Sequence, residues 1–349
     1  MAAASSTLET SLDLCLSQSE GDFPSVLGEV VRAGLTRHPK SLPPWLFYDE
    51  AGSLLFDRIT ELPEYYLTRI ERGIFQAYAP EMIEAAADGQ RLRIVELGAG
   101  SADKTRLILA AAADRQPELC YCPVDVSDTA LEAAQDRLAR ELPQVQVEPL
   151  VEDYTRSLNL GPSVDGERRL VLFIGSSIGN FLPEEALQLL SRLRAALAPG
   201  DSLLLGVDLA PNMVSGQASA PNGKSETRLI AAYDDAEGVT AGFNKNLLVR
   251  LNRELGADFD LESFEHRIRW NRRQSRIEMH LESIRAQTVR LARLGIEVAF
   301  AEGETIHTEN SYKYAPGEAE RLLRASGLTP AQCWNDPDAW FAVHLATVL

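Results

Sequence analysis

Three features of the sequence predict an α/β fold, a doubly wound parallel sheet interrupted by an inserted α+β unit. From residue 92 short apolar runs alternate with helical stretches; a glycine turn joins the first run to its helix; and the alternation stops after Leu209. Short apolar strands separated by helices signal parallel strands covered on both faces. The crossovers between such strands are almost always right-handed, which leaves a Rossmann-like sheet.

The elements follow in order. LRIVELGAG is a buried strand entering the glycine turn, and ADKTRLILAAAA is its helix. LCYCPVDVS and TALEAAQDRLAREL form the second pair, VQVEPLVEDY the third strand and RRLVLFIGSS the fourth. PEEALQLLSRLRAAL is a helix that stops at Pro199-Gly200, and DSLLLGVDL is the fifth strand. Residues 210–224 are a loop rich in Pro, Gly, Ser and Asn, without periodicity. Two helices follow, at 225–235 and 242–255, then two strand-like runs, FEHRIRWN and RIEMHLESI, followed by EVAFAEGETIHTENSYKY. A helix near 316–326 and strands around Ala331–Trp334 and Trp340–Val348 close the chain.

Ahead of the alternation, residues 26–38 read as a helix ended by Pro39, and 51–61 as an amphipathic helix ended by Pro63. EYYLTR is expected to be an aromatic loop before a helix at 69–87. The expected organisation is a cofactor-binding domain at 76–209 plus 314–349, a substrate-binding domain at 26–75 plus 210–313, and a loosely ordered leader at 1–25.

Composition narrows the function. Hydrophobic residues make up 45% and charged residues 24% of the 349, which excludes a disordered or fibrous chain. With 34 Lys+Arg against 51 Asp+Glu the net charge is −17, unsuited to phosphate backbones or anionic lipid. Nucleic-acid and membrane partners are therefore not expected. The N-terminus has no basic or apolar targeting pattern, no run is long enough to span a bilayer, and four cysteines read as free thiols, so a cytoplasmic protein is expected. The five histidines show no metal spacing, and no metal is expected.

The motif Glu96-Leu97-Gly98-Ala99-Gly100 lies between strand and helix, where glycines let the backbone turn tightly against a ligand. A dinucleotide fingerprint would place a third glycine at 103, but Asp103 stands there and opposes a pyrophosphate. S-adenosylmethionine (SAM) carries no phosphate and has a cationic sulfonium, so it is the favoured cofactor, with NAD the second reading. Asp125, ending the second strand, is placed to accept ribose hydroxyls, since Ser127 or Asp128 can cap the next helix. Asp153 and Tyr154 follow the third strand and can meet the adenine amino group and ring. Lys104 sits in the first helical turn, an unfavourable place for a cation, and is read either as a partner for the SAM carboxylate or as a solvated lysine. Gly175-Ser176-Ser177-Ile178-Gly179-Asn180-Phe181 ends the fourth strand, where doubly wound folds place substrate. Asn180 there is a neutral donor and acceptor, or a turn residue tolerating positive φ.

At this point the chain resembles the SAM-dependent, histidine-specific Nα-methyltransferases of ergothioneine biosynthesis. The resemblance runs from about residue 26 to the C-terminus. It rests on Pro43-Pro44-x-x-Phe47-Tyr48-Asp49-Glu50, Leu62-Pro63-Glu64-Tyr65-Tyr66-x-Thr68-Arg69, the two glycine motifs, Tyr233-Asp234-Asp235-x-x-Gly238-Val239-Thr240-Ala241, Ala257-Asp258-Phe259-Asp260, Ile277-Glu278-Met279, and Gly303-Glu304 with Thr308-Glu309-Asn310-Ser311. It implies a SAM-methyltransferase sheet with SAM at Gly98, Gly100, Lys104, Asp125, Asp153 and Tyr154. It implies that Tyr65, Asn180 and Tyr233 hold the amino-acid head of L-histidine, with catalytic roles, and that Ser177 lies beside them. Glu309 and Ser311 would read the imidazole, Met279 would shape that pocket, and Tyr48 would lie near the ring. Two departures stand out: Ser177 replaces an expected Thr, and the 210–224 loop is long.

The implied reaction is trimethylation of the α-amine to histidine betaine by a small-molecule enzyme expected to be a monomer. In peptides an α-amino group has a pKa of roughly 7.7–8, so an appreciable neutral fraction is expected near neutral pH and no strong base is demanded. The alternatives are a methyltransferase of the same fold acting on tryptophan or a biogenic amine, an NAD-dependent oxidoreductase, and a non-catalytic binding module.

Overall fold

The computed structural model describes residues 23–100, 102–161, 164–211 and 223–349. Most of the expected leader and of the 210–224 loop lies outside the described residues.

The main sheet is built from β2 (Arg91–Leu97), β3 (Leu119–Asp125), β4 (Val145–Val147), β6 (Glu167–Phe173), β7 (Ser202–Asp208), β13 (Thr329–Asn335) and β14 (Phe341–Thr347). Their spatial order is β13-β14-β7-β6-β2-β3-β4, and the two-residue β5 (Leu150–Val151) also pairs with β3. Neighbours run parallel except at β14, which pairs antiparallel with both β7 and β13. Every residue of β7 is buried, as a central strand covered on both faces requires. The helices α3 (Tyr66–Ala87), α4 (Thr105–Arg115) and α5 (Asp128–Glu141) cover one face, and their apolar side chains Ile74, Met82, Ile108 and Leu138 share its core. The other face buries Leu189, Leu190 and Leu193 of α6 (Pro183–Ala196) with Leu323 of α9 (Glu318–Ala325). This is an α/β Rossmann-like fold.

A second sheet lies apart, in the order β1-β12-β9-β8: β1 (Lys40–Ser41), β8 (Phe264–Asn271), β9 (Arg276–Ser283) and β12 (Thr305–Tyr312). Its core joins Leu27, Val31 and Leu35 of α1 (Phe23–Thr36), Ile59 of α2 (Glu50–Glu61), and Phe243, Leu247 and Leu251 of α8 (Val239–Leu255), while the short α7 (Glu226–Ala231) adds Leu229. A hairpin of β10 (Gln287–Leu291) and β11 (Ile296–Phe300) completes it. The ends of the inserted stretch meet: Leu209 bridges Tyr314, and the Tyr314 amide donates to the Asp208 carbonyl at 2.9 Å. One continuous helix, α3, serves both cores, with Tyr66 and Leu67 in the second and Ile74 and Phe75 in the first.

Two local expectations need correction. EYYLTR is not a loop throughout: Tyr65 is the N-cap and Tyr66 the first residue of α3, because its tyrosines are buried rather than solvated. The third strand is split into β4 and β5 around Pro149, which has no N–H for a ladder. The run at 297–314 is two strands in different sheets, parted at a turn where Gly303 takes φ 77°.

Candidate active site

The end expected to take the cofactor is shaped by backbone. After β2 the chain turns through Gly98 at φ 71° and Gly100 at φ 51°, a left-handed backbone that a side chain would strain. The Gly98 amide donates to the Val124 carbonyl at 2.8 Å, tying the turn to the end of β3. Asp125 accepts from the Gly100 amide through Oδ2 and from the Ser127 amide through Oδ1, each at 3.0 Å. Ser127 itself caps α5, accepting from the Ala130 amide at 3.3 Å, so the Asp125 carboxylate keeps lone pairs for a ligand. Burial pushes the Asp125 carboxyl up despite those amides. Tyr154 lies over the turn, its hydroxyl 3.6 Å from where a Cβ of Gly98 would stand, with its ring edge-on to Phe173 at 5.7 Å. Asp153 is largely used locally, accepting from the Thr155 amide at 2.9 Å and facing Arg156 at 3.4 Å.

Lys104 is half-buried rather than free in solvent, and it pairs with Glu71, a fully buried carboxylate of α3. Glu71 also accepts from the Gly175 amide at 2.8 and 3.0 Å, which joins the first helical turn after the glycines to the end of β6. Asp103 is drawn away from the turn by Arg72, Arg106 and Arg137. Glu96 of the glycine motif is buried, accepts from Thr105 at 2.7 Å and from Tyr121, and burial raises its carboxyl to about 7. Sequence reasoning gave neither Glu71 nor Glu96 a role.

The end of β6 carries the second glycine motif onto the second sheet. Ser176 adopts φ 58° and its hydroxyl accepts from the Asp208 amide at 2.9 Å. Ser177 donates to the Ile174 carbonyl at 3.0 Å. Gly179 presses on β12: a Cβ there would fall 2.9 Å from the Tyr312 carbonyl oxygen. Asn180 closes this turn against β12, and its side chain has no hydrogen-bond partner among the described residues.

On β12 a bulge between His307 and Glu309 resets the strand so that Glu309 stands opposite Met279 and Ser311 opposite Ile277. Cross-strand partners share a face, so Met279, Glu309 and Ser311 point the same way. The bulge residue Thr308 is anchored from the opposite side by Asn244 of α8 at 2.8 Å. Glu309 is 8% exposed, and its carboxyl has no hydrogen-bond partner among the described residues. Burial raises it to about 7 against the pull of Lys313.

Tyr233 and Ser311 share a hydrogen bond of 2.8 Å, and Lys313 donates to each of them at 2.8 Å. Lys313, fully buried, also pairs with Asp208 at 2.8 Å. Asp208 further accepts from Tyr66 at 2.8 Å and pairs with buried Lys224. Burial alone would raise the Asp208 carboxyl; the two ammonium groups outweigh it and hold it below its usual range. The Tyr65 ring stands edge-on to Tyr233 at 6.1 Å and to Phe56 at 6.3 Å. Tyr48, edge-on to Phe56 at 5.8 Å, lies within electrostatic reach of Glu309, Tyr65, Tyr154 and Asp125, so the two ends of the site face one another.

The expected residues thus gather at one place, where the C-terminal ends of the main strands meet β12. The Asp208–Lys313–Lys224 cluster was missed. Its signals were slight: an aspartate ending a central strand, and a lysine between two tyrosines.

The whole-chain comparisons fit this geometry. The family model for SAM-dependent histidine-specific methyltransferases matches residues 27–348. The chain belongs to that family. It is therefore a SAM-dependent methyltransferase acting on a small molecule. It is 45% identical to the histidine N-alpha-methyltransferase of Mycolicibacterium smegmatis over 90% of this chain and 93% of that protein. It is 42% identical to the histidine N-alpha-methyltransferase of Mycobacterium tuberculosis, with the same coverage of 90% and 93%. The ergothioneine biosynthesis protein 1 of Neurospora crassa is 30% identical over 85% of this chain, which spans 32% of that longer protein. No helix among the described residues is long and apolar enough to cross a membrane.

Proposed function

We propose that the protein transfers three methyl groups from SAM to the α-amine of L-histidine, giving histidine betaine, the first step of ergothioneine biosynthesis, and that it does so as a cytoplasmic monomer. The observation that carries the substrate is Glu309: a buried carboxyl without a hydrogen-bond partner among the described residues, beside Met279, on the face that holds Ser311. A buried unpaired carboxyl is costly unless a ligand donates to it. An imidazole N–H does so, while its second nitrogen can meet the hydroxyl of Ser311. An indole offers no such acceptor and needs the space that Met279 fills.

The remaining roles follow the geometry. The glycine turn with Asp125, Tyr154, Asp153 and Lys104 is the SAM side, formed by 76–209 with 314–349. Residues 26–75 with 210–313 supply the rest of the substrate side, beyond the turn that carries Ser177 and Asn180. SAM supplies the electrophilic methyl group of its sulfonium. The protein positions and desolvates the amine for in-line displacement. The free Asn180 amide and the Tyr233 hydroxyl orient the amino-acid head, with Ser177 at its turn, and Tyr65 and Tyr48 offer aromatic faces to the growing quaternary ammonium.

Mass spectrometry of the protein incubated with histidine and excess SAM tests this reading. The expected product is the Nα-trimethyl betaine with three equivalents of S-adenosylhomocysteine. Methyl groups on the imidazole nitrogens, or faster turnover of tryptophan, would overturn it.

A further inference from the structure

Lys313 has three N–H donors and three oxygens at 2.8 Å: Asp208 Oδ2, the Tyr233 hydroxyl and Ser311 Oγ. All its donors are spent within the protein, and it is 1% exposed, so it does not touch substrate. Its effect is on the hydroxyls. Tyr233 and Ser311 each accept from Lys313 and share one hydrogen bond with each other. That shared bond uses one of their two hydroxyl protons. The other proton is left without a partner among the described residues, on side chains that share a strand face or a hydrogen bond with the Glu309 side of β12. A hydroxyl pair that could otherwise donate or accept is thus biased toward donating.

We propose that Lys313 is a positioning residue that sets this pair as a donor toward the substrate ring, so that the site takes histidine with a neutral imidazole: one ring N–H to Glu309, the other nitrogen accepting from the hydroxyl pair. This rests on the histidine reading above. Among the described residues the charges beside the pair are Asp208 at the end of β7, which Lys224 and Lys313 share, and Glu309; Lys313 is the ammonium that touches both hydroxyls. Tyr65, Tyr66 and Tyr233 are buried, and burial pushes their hydroxyls up, so they keep their protons. An imidazolium brings a second N–H, and a charge, to a place already holding an ammonium and a committed donor.

The test compares histidine with β-(1,2,4-triazolyl)alanine, whose ring stays neutral across the range used. Affinity for each is measured by calorimetry on protein saturated with S-adenosylhomocysteine, between pH 5.5 and 8. Titration of Glu309 affects both ligands and cancels in the ratio. In the unmodified protein, histidine should lose affinity relative to the triazole by about tenfold per pH unit below the imidazole pKa of roughly 6.5. In Lys313→Met, which leaves Asp208 paired with Lys224, that relative loss should shrink at least threefold while affinity for S-adenosylhomocysteine holds. A pH-independent ratio in the unmodified protein, or an unaltered ratio in Lys313→Met, overturns the proposal. If Lys313→Met does not fold, Ser311→Ala decides: without that hydroxyl proton the relative loss of histidine against the triazole below pH 6.5 should shrink at least threefold, and an unaltered ratio overturns the proposal. Absence of any histidine binding to the unmodified protein would instead count against the histidine reading itself.

Discussion

The two ends of the site solve different problems with different materials. At the end proposed to take the cofactor, the groups offered to a ligand are a glycine turn and strand-end side chains whose hydrogen bonds are mostly to neighbouring backbone, as with Asp125 and the amides of Gly100 and Ser127. At the end proposed to take the substrate, the side chains come from distant segments and lie among buried charge: Asp208, Lys224, Lys313 and Glu309. A buried ion cluster fixes geometry sharply only while every member is paired. The substrate end should therefore be the more brittle of the two, and its residues the more selective.

The largest expected effect is at Asn180. Asn180→Ala should lower turnover on the order of 10²-fold, because misplacing the amine alone can cost that much, while affinity for SAM stays within about twofold. Near-normal turnover in stopped assays would make Asn180 a turn residue and leave the head of the substrate to Tyr233. Next comes specificity. Glu309→Ala with Met279→Val removes the ring acceptor and opens space; kcat/KM for histidine should fall by roughly tenfold or somewhat more, since sites built to hydrogen-bond a group discriminate through it. Activity on tryptophan should rise in the same competition assay. At the cofactor end Asp125→Ala should weaken SAM binding by about 1–3 kcal/mol in calorimetry, the cost of losing a charged acceptor.

The smallest effect is one of pH. Burial places the Glu309 carboxyl at about 7, above the ordinary glutamate range, so its ionised form grows as pH rises through neutrality. If the carboxylate receives the ring N–H, kcat/KM should climb through that range, over and above the titration of histidine itself. Glu309→Gln should remove that part of the climb. The sign is opposite for stability: a carboxyl raised on folding favours the folded state most below the ordinary glutamate pKa and loses that contribution as pH rises through about 7. Thermal melts of the Gln variant should show a flatter pH dependence over that window.

The same contrast explains what was legible in the sequence. The glycine turn announces itself because a left-handed backbone at Gly98 and Gly100 needs glycine in a short window, and Asp125 is placed by the end of a strand whose apolar run is plain. The alternation of strands and helices gave the main sheet through the same local rules. The substrate end has no local rule. Tyr65, Asn180, Tyr233 and Glu309 come from four segments, and only the resemblance of motifs linked them. Lys313 and Asp208 lie far apart in the chain, and neither periodicity nor spacing announces an ion pair closed across the ends of an insertion. Glu71 was hidden in the same way, as one glutamate of a helix whose partner, Lys104, comes from the next helix. The bulge at Thr308 was also invisible, although it decides which residues of β12 face the site.

The central claim is that one histidine molecule spans the two sheets, its amine on the main-sheet side and its ring on β12. A crystal structure with S-adenosylhomocysteine and histidine tests it most directly. The account predicts the α-nitrogen within hydrogen-bond distance of Asn180 and Tyr233, the sulfur over the Gly98 turn, and one imidazole nitrogen on the Glu309 carboxylate. Histidine bound with its ring away from Glu309, or with its amine out of reach of Asn180 and Tyr233, would contradict it.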